Sequence, residues 1–563
     1  MQPKTSFDIQ ILRSGRWTTD ARLPSEEAAR AHAMKLLANP QCEGAKVLRC
    51  WLRADGTEME NEIFSKTQSV GDNGGAHLDH VDSVPDACAS IQDCFRLDAR
   101  LMMARLFKSY LDSVVMTPSE MLCTWREFKR LRDKDNLMPT AVDRIATMQT
   151  RADGGNYKTR KDDLFRFIED IIKRAKDTEA TQLPKDTKSL SDLVGDIAPM
   201  DAPWDRLYLA RTALVRDMKD IRSFCGKLDK LCRLALGSRD PDLVALRDGM
   251  VAEIFETSAI QDILGRQSGL GPAICAMVDL SEGKMDVEKS EAKDIAASLN
   301  MLFSDGLLPE ACKVLLDRVH RQIGSSGALY RNDEQQEYDH FKTLTLRLLT
   351  PKGLLAGPAT AAALTGRYLR MVKECSRKDA VSAVFRLMPD RCFGLVYLSA
   401  LLSTEYAADA TAKLREAYPP TIAGQHITNM VARGLSPKDR MIRATLAHAT
   451  VFSAKFAPDA KQPVLDHIDR LLDEYLVEEQ IIEKLDHQDS SLRERATRLV
   501  QFCASGVLPE GRALARARAR IKDILRQPNF DANFVADIAD PAAAQKALRD
   551  FHALLINKAG FGV

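Results

Sequence analysis

The chain carries almost no net charge: 80 basic residues stand against 79 acidic ones, leaving +1 over 563 residues. A surface built throughout to hold nucleic acid would be markedly basic, so for that class only a local patch stays open. Long apolar runs are missing too. The stretch Gly394-Leu395-Val396-Tyr397-Leu398-Ser399-Ala400-Leu401-Leu402 falls far short of the roughly 20 residues a spanning helix needs. The N-terminus lacks a basic segment followed by an apolar core, so no secretory signal is expected. None of the 12 cysteines forms a CxxC pair. Several, such as Cys275, Cys312 and Cys503, sit in apolar helical stretches. They read as reduced, buried thiols of a cytoplasmic protein rather than as a disulfide framework.

Catalytic signatures are lacking as well. Walker A, HExxH, GxSxG and kinase sets do not occur. Gly269-Leu270-Gly271-Pro272 has no strand before it, as a dinucleotide loop would require. The ten histidines are spread out and nominate no nucleophile's partner. No tetratricopeptide or ankyrin signature appears.

What is present is mostly helix grammar. Residues 5–67 are the exception. Phe7-Asp8-Ile9-Gln10-Ile11 alternates with period 2, and Ser14-Gly15 separates it from Trp17-Thr18-Thr19, a hairpin signal. Ser25 is the expected N-cap of a helix over 26–37, with Ala28, Ala31, Met34 and Leu37 along one side. Ala45–Leu52, a turn at Asp55-Gly56, and Thr57–Phe64 make a second strand pair. The result is a ββαββ module small enough to be marginal alone. Trp17 and Trp51 either fill its core or dock it elsewhere. Residues 68–89, with Gly71, Gly74, Gly75 and Pro85, have the composition of a flexible linker.

From residue 90 onward nearly everything reads as helix. Thr117-Pro118-Ser119-Glu120 predicts a capping box with Pro at the first helical position. The helix it opens is expected to run to a corner at Asn136-Leu137-Met138-Pro139-Thr140. Two stronger corners occur at Gly306-Leu307-Leu308-Pro309-Glu310 and Gly506-Val507-Leu508-Pro509-Glu510. Gly ends one helix in the left-handed conformation and Pro opens the next. The prolines at 184, 199 and 203 mark 177–203 as a second linker or a long connection. The expected architecture is mainly α: a small N-terminal α+β module (1–67), a linker (68–89), and a large multi-helical body. That body divides into 90–330 and 331–563, and is either solenoid-like or two packed halves.

Candidate chemistry is thin. His77, Asp79, His80 and Asp82 could ligate a divalent ion, but they lie in the linker, where an ordered ligand shell has no support. Glu337 and His340 have the i,i+3 spacing of bundle-core di-iron sites, without a second such motif. Neither a metal nor a cofactor is therefore expected. Arg512, Arg516, Arg518, Arg520 and Lys522 form a basic helix opposite Leu514, Ala517, Ile521 and Leu525, suited to an anion or an acidic partner. A second basic region, Lys158 to Lys176, is interleaved with acids. The leading expectation is a non-enzymatic scaffold or regulatory adaptor that binds a partner protein. The alternatives are an enzyme with a site between helices, for which the acids at 333–340 are the nomination, and a nucleic-acid-binding regulator using 512–522.

Overall fold

The computed structural model describes residues 6–13, 16–37, 44–52, 58–67, 78–79, 81, 84–134, 136–201, 204–330, 334–418 and 426–561. Helix dominates, with 27 α-helices among the described residues. The chain divides into two compact units, Met1–Leu183 and Pro184–Val563. Their junction lies inside the proline-marked stretch 177–203.

In the first unit the ββαββ order is as expected. β1 (Ser6–Arg13), β2 (Arg16–Leu23), β3 (Gly44–Leu52) and β4 (Glu58–Thr67) form one antiparallel sheet in the order β2-β1-β3-β4. Alternation along β1 sends Phe7, Ile9 and Ile11 inward, onto Ala45 and Val47 of β3 and onto helix α1 (Glu26–Leu37). Ser25 caps α1 by accepting the Ala28 N–H at 3.1 Å. The buried stripe of α1 is Ala29, Ala33 and Leu37, while Ala28, Ala31 and Met34 face solvent. The expected face is thus turned by about one residue. Two alanines one helical turn apart let the helix lie close on the sheet, which a Met at that position would prevent. The turns at Ser14-Gly15 and Asp55-Gly56, and the side chains of Trp17 and Trp51, lie outside the described residues.

The rest of this unit is helical, and part of the expected linker packs onto it. Val81 is buried. Asp79 accepts the backbone N–H and hydroxyl of Ser109 at 2.9 and 3.0 Å. Its carbonyl takes Arg144, and the Pro85 carbonyl takes Gln149. His77, His80 and Asp82 lie outside the described residues.

In the second unit the corners show the expected turn with a difference. At the first, the helix Lys293–Ser304 ends, Gly306 takes φ +66°, and the helix Pro309–Gly324 begins with Pro at its first turn. At the second, Gly506 takes φ +70° after Leu492–Ala504, but the next helix begins only at Arg512. Both outgoing helices have their first N–H groups capped from another helix. Asp248, on Pro241–Ile254, accepts Glu310 N and Ala311 N at 2.5 and 2.8 Å. Asp469, on Pro458–Glu478, accepts Arg512 N and Ala513 N at 2.8 and 3.3 Å. Here the capping carboxylate sets where the helix starts, rather than Pro509.

The apolar stretch near 394–402 is the helix Arg391–Leu401, buried almost all round. A helix apolar on every side belongs in a core. Among the described residues no helix is long and apolar enough to cross a membrane. A two-strand hairpin, β5 (Leu349–Thr350) with β6 (Gly353–Leu354), was not expected. Pro351 and Lys352 form its turn.

Candidate functional site

A cavity of about 890 Å³ lies in the first unit, along the helix Lys108–Val114 and the helix Trp125–Asp133. Local sequence builds it. Val115 takes the left-handed conformation (φ 52°) and ends the first helix. Thr117 and Glu120 then form the expected capping box, with Glu120 Oε2 accepting Thr117 N at 2.8 Å. The helix it opens, Pro118–Cys123, is buried along its whole length and stops at Thr124, which is extended. The expected continuous helix to residue 135 is therefore two helices. This buried turn-and-a-half separates the two flanking helices and leaves a groove beside them.

The helix Trp125–Asp133 is sharply two-sided. Phe128 and Leu131 are buried. Trp125 and Lys129 are spaced i,i+4, as are Arg126, Arg130 and Lys134, so these residues line one face. Four cations meet a single lining carboxylate, Asp133. Ser109, Tyr110 and Ser113 supply the other wall. Burial raises the Tyr110 hydroxyl's pKa above its ordinary value, with Glu127 adding to the shift, so it stays a neutral donor.

Trp125 is held in place. Its Nε1 donates to Glu179 Oε2 at 2.7 Å, and the Arg126 guanidinium carbon lies 5.3 Å from its ring centre. The Lys176 ammonium lies 6.0 Å from the same ring, bringing one member of the second basic region to the site. Arg126 pairs with Glu179 at 3.3 Å and Arg130 with Glu127 at 2.7 Å. These are exposed pairs, worth about 0–1 kcal/mol each, and a better-placed anion can displace them. Lys129 is exposed and has no ion pair among the described residues.

The basic helix Arg512–Leu525 is more committed. Arg516 binds Asp473 through two contacts of 2.5 and 2.8 Å. Arg518 binds Glu510 at 2.7 and 2.8 Å and the Ala559 carbonyl at 2.9 Å. Arg520 joins Arg495 on Asp486, whose carboxylate is buried. Hydrogen bonds from these arginines hold Asp473 and Glu510 below the usual carboxylate range. The side chains of Arg512 and Lys522 make no ion pair among the described residues.

Glu337 accepts the Tyr330 N–H at 2.6 Å and pairs with buried Arg367 at 3.3 Å, and His340 stacks on Tyr330 with ring centres 5.0 Å apart. Both side chains are thus engaged in packing. Among the described residues no group of three or more His, Cys, Asp or Glu side chains is placed to hold a metal ion. Sequence reasoning missed the Trp125 groove because helix propensity continues across Thr124. The i,i+4 ladder of one Trp and four cations between 125 and 134 was the available signal. Comparison of the chain with family models, curated proteins and solved structures yields no match.

Proposed function

We propose that the protein works by binding, as a helical adaptor whose groove along residues 108–134 receives an acidic segment of a partner protein. The supporting observation is the ladder over Trp125: four cations, one carboxylate and an anchored aromatic ring on one open face. A glutamate- or aspartate-rich peptide carrying one apolar side chain matches it, the carboxylates meeting Arg126, Lys129 and Arg130 and the apolar group lying on the indole. Trp125 is the one exposed-side aromatic among the groove's lining residues, Tyr110 being buried. Single-stranded nucleic acid is usually held on several successive aromatic platforms, which favours the peptide reading.

Titration of a labelled acidic peptide against the full chain tests this. Saturable binding is expected, weakened about tenfold or more by K129E combined with R126E, and by W125A. Binding of single-stranded DNA at the same residues, with no binding of the peptide, would overturn the reading in favour of nucleic acid. Peptide affinity untouched by these substitutions would remove the groove from it.

A further inference from the structure

Cys88 and Cys94 flank a tight turn in the first unit. Asp93 Oδ2 accepts the N–H groups of Ala89 and Ser90 at 2.9 and 2.8 Å and the Ser90 hydroxyl at 3.0 Å. A single 3-10 turn, Gln92–Phe95, follows. The turn carries Cys88 on one side and Cys94 on the other, and the two thiols interact. Cys94 Sγ also lies 3.8 Å from the Ser90 carbonyl oxygen. Both are free thiols and neither is fully buried.

Arg160, on the helix Tyr157–Glu179, clamps this turn. Its Nη1 donates to the Cys88 carbonyl at 2.8 Å and its Nε to Gln149 Oε1 at 2.7 Å. Its Nη2 is buried and has no acceptor. A buried donor without a partner is costly, and an anionic sulfur beside it would relieve that cost. The two sulfurs are not equivalent. The hydrogen bond from Cys94, then the charges of Arg160 and Arg96, bring the Cys88 thiol down to about 7, against burial and the Asp93 carboxylate. The same hydrogen bond, with burial, pushes Cys94 well above the ordinary thiol range. With Arg160 held on its own carbonyl, Cys88 is the sulfur prepared to attack and Cys94 the one to follow.

We propose that Cys88 and Cys94 form a reversible intramolecular disulfide in response to a hydroperoxide, with Cys88 attacking and Cys94 resolving. The Cys88 thiolate attacks one peroxide oxygen and the O–O bond breaks. The departing oxygen takes a proton and leaves as water or alcohol, and Cys88 becomes a sulfenic acid. The Cys94 sulfur then attacks the sulfenic sulfur. The S–OH bond breaks, the thiol proton leaves with the hydroxide as water, and the S–S bond forms. Two electrons pass from the thiol pair to the peroxide, and a small-molecule dithiol returns the pair to its reduced form.

The test is to expose the reduced full chain to hydrogen peroxide near pH 7, digest it without reductant and weigh the peptides. The expected product links Cys88 to Cys94, is two hydrogens lighter than the thiol pair, and is reversed by dithiothreitol. In C94S, Cys88 sulfenic acid accumulates and is trapped by dimedone; in C88S, Cys94 stays reduced. R160M slows Cys88 oxidation several-fold at pH 7 and less at pH 9, with the far-ultraviolet circular dichroism unchanged. A pair that stays reduced while other cysteines oxidise, or a Cys88 that couples to a different thiol, would overturn the proposal.

Discussion

Asp248 is fully buried, yet its carboxylate is the cap of a helix that begins at Pro309. Burial pushes its pKa up to about 6, although the N–H groups of Ala311 and Glu310 pull the other way. In the unfolded chain the value is about 4. Between these two values the folded form holds the proton more tightly than the unfolded one. The associated stability is therefore complete below about pH 4 and is lost as the pH rises through 6. D248N removes this dependence. Urea denaturation of both forms is expected to show the wild type losing up to about 3 kcal/mol relative to D248N between pH 4 and 7. A constant offset across that range would show that Asp248 is not titrating in the folded state. In the groove, the same scale of reasoning applies to Lys129. It makes no ion pair among the described residues, so K129E alone should change acidic-peptide affinity more than it changes thermal stability.

At the scale of elements, two helix starts differ in how strictly they are built. The capping box at Thr117 uses neighbours three residues apart, and T117A is expected to cost about 1 kcal/mol in chemical denaturation. The start at Arg512 depends on Gly511. A Cβ there would sit 2.4 Å from Asp469 Oδ1 and 2.7 Å from Oδ2. Since that carboxylate caps Arg512 and Ala513, G511A must push away the group that holds the helix end. The expected cost is about 1–3 kcal/mol, read as a lower urea midpoint. Legibility in the sequence follows the same divide. The ββαββ order, the capping box, Ser25 and the glycines at 306 and 506 were readable, because each depends on residues within a few positions. The rotated face of α1, the split at Thr124 and the late start at Arg512 were not, because packing against distant residues decides them. The groove inherits that gap: its ladder of residues was visible, while the buried helix that opens it was not.

At the scale of the whole molecule, the chain comprises two compact units meeting at 183/184. Fragments 1–183 and 184–563, produced separately, are each expected to unfold in one cooperative transition by calorimetry or circular dichroism. A fragment that stays molten would show that its unit needs the rest of the chain. Near-neutral overall charge suits a protein whose cations are spent locally, as those of the helix Arg512–Leu525 are on Asp473, Asp486 and Glu510. For the proposed acidic partner it means a short-ranged attraction, set by the charges of the groove itself rather than by the whole chain.

The borrowed caps carry a further consequence, for the order in which the second unit assembles. Gly306 and Pro309 can turn the chain as soon as they are made, but the carboxylate that finishes the corner lies 62 residues earlier. Closing so large a loop is entropically slow beside a local turn. The helix Pro309–Gly324 is thus expected to form with a frayed start and to gain its cap only when Pro241–Ile254 docks. Removing that cap with D248A should then leave the folding rate nearly unchanged and speed unfolding, a low φ-value measurable by stopped flow.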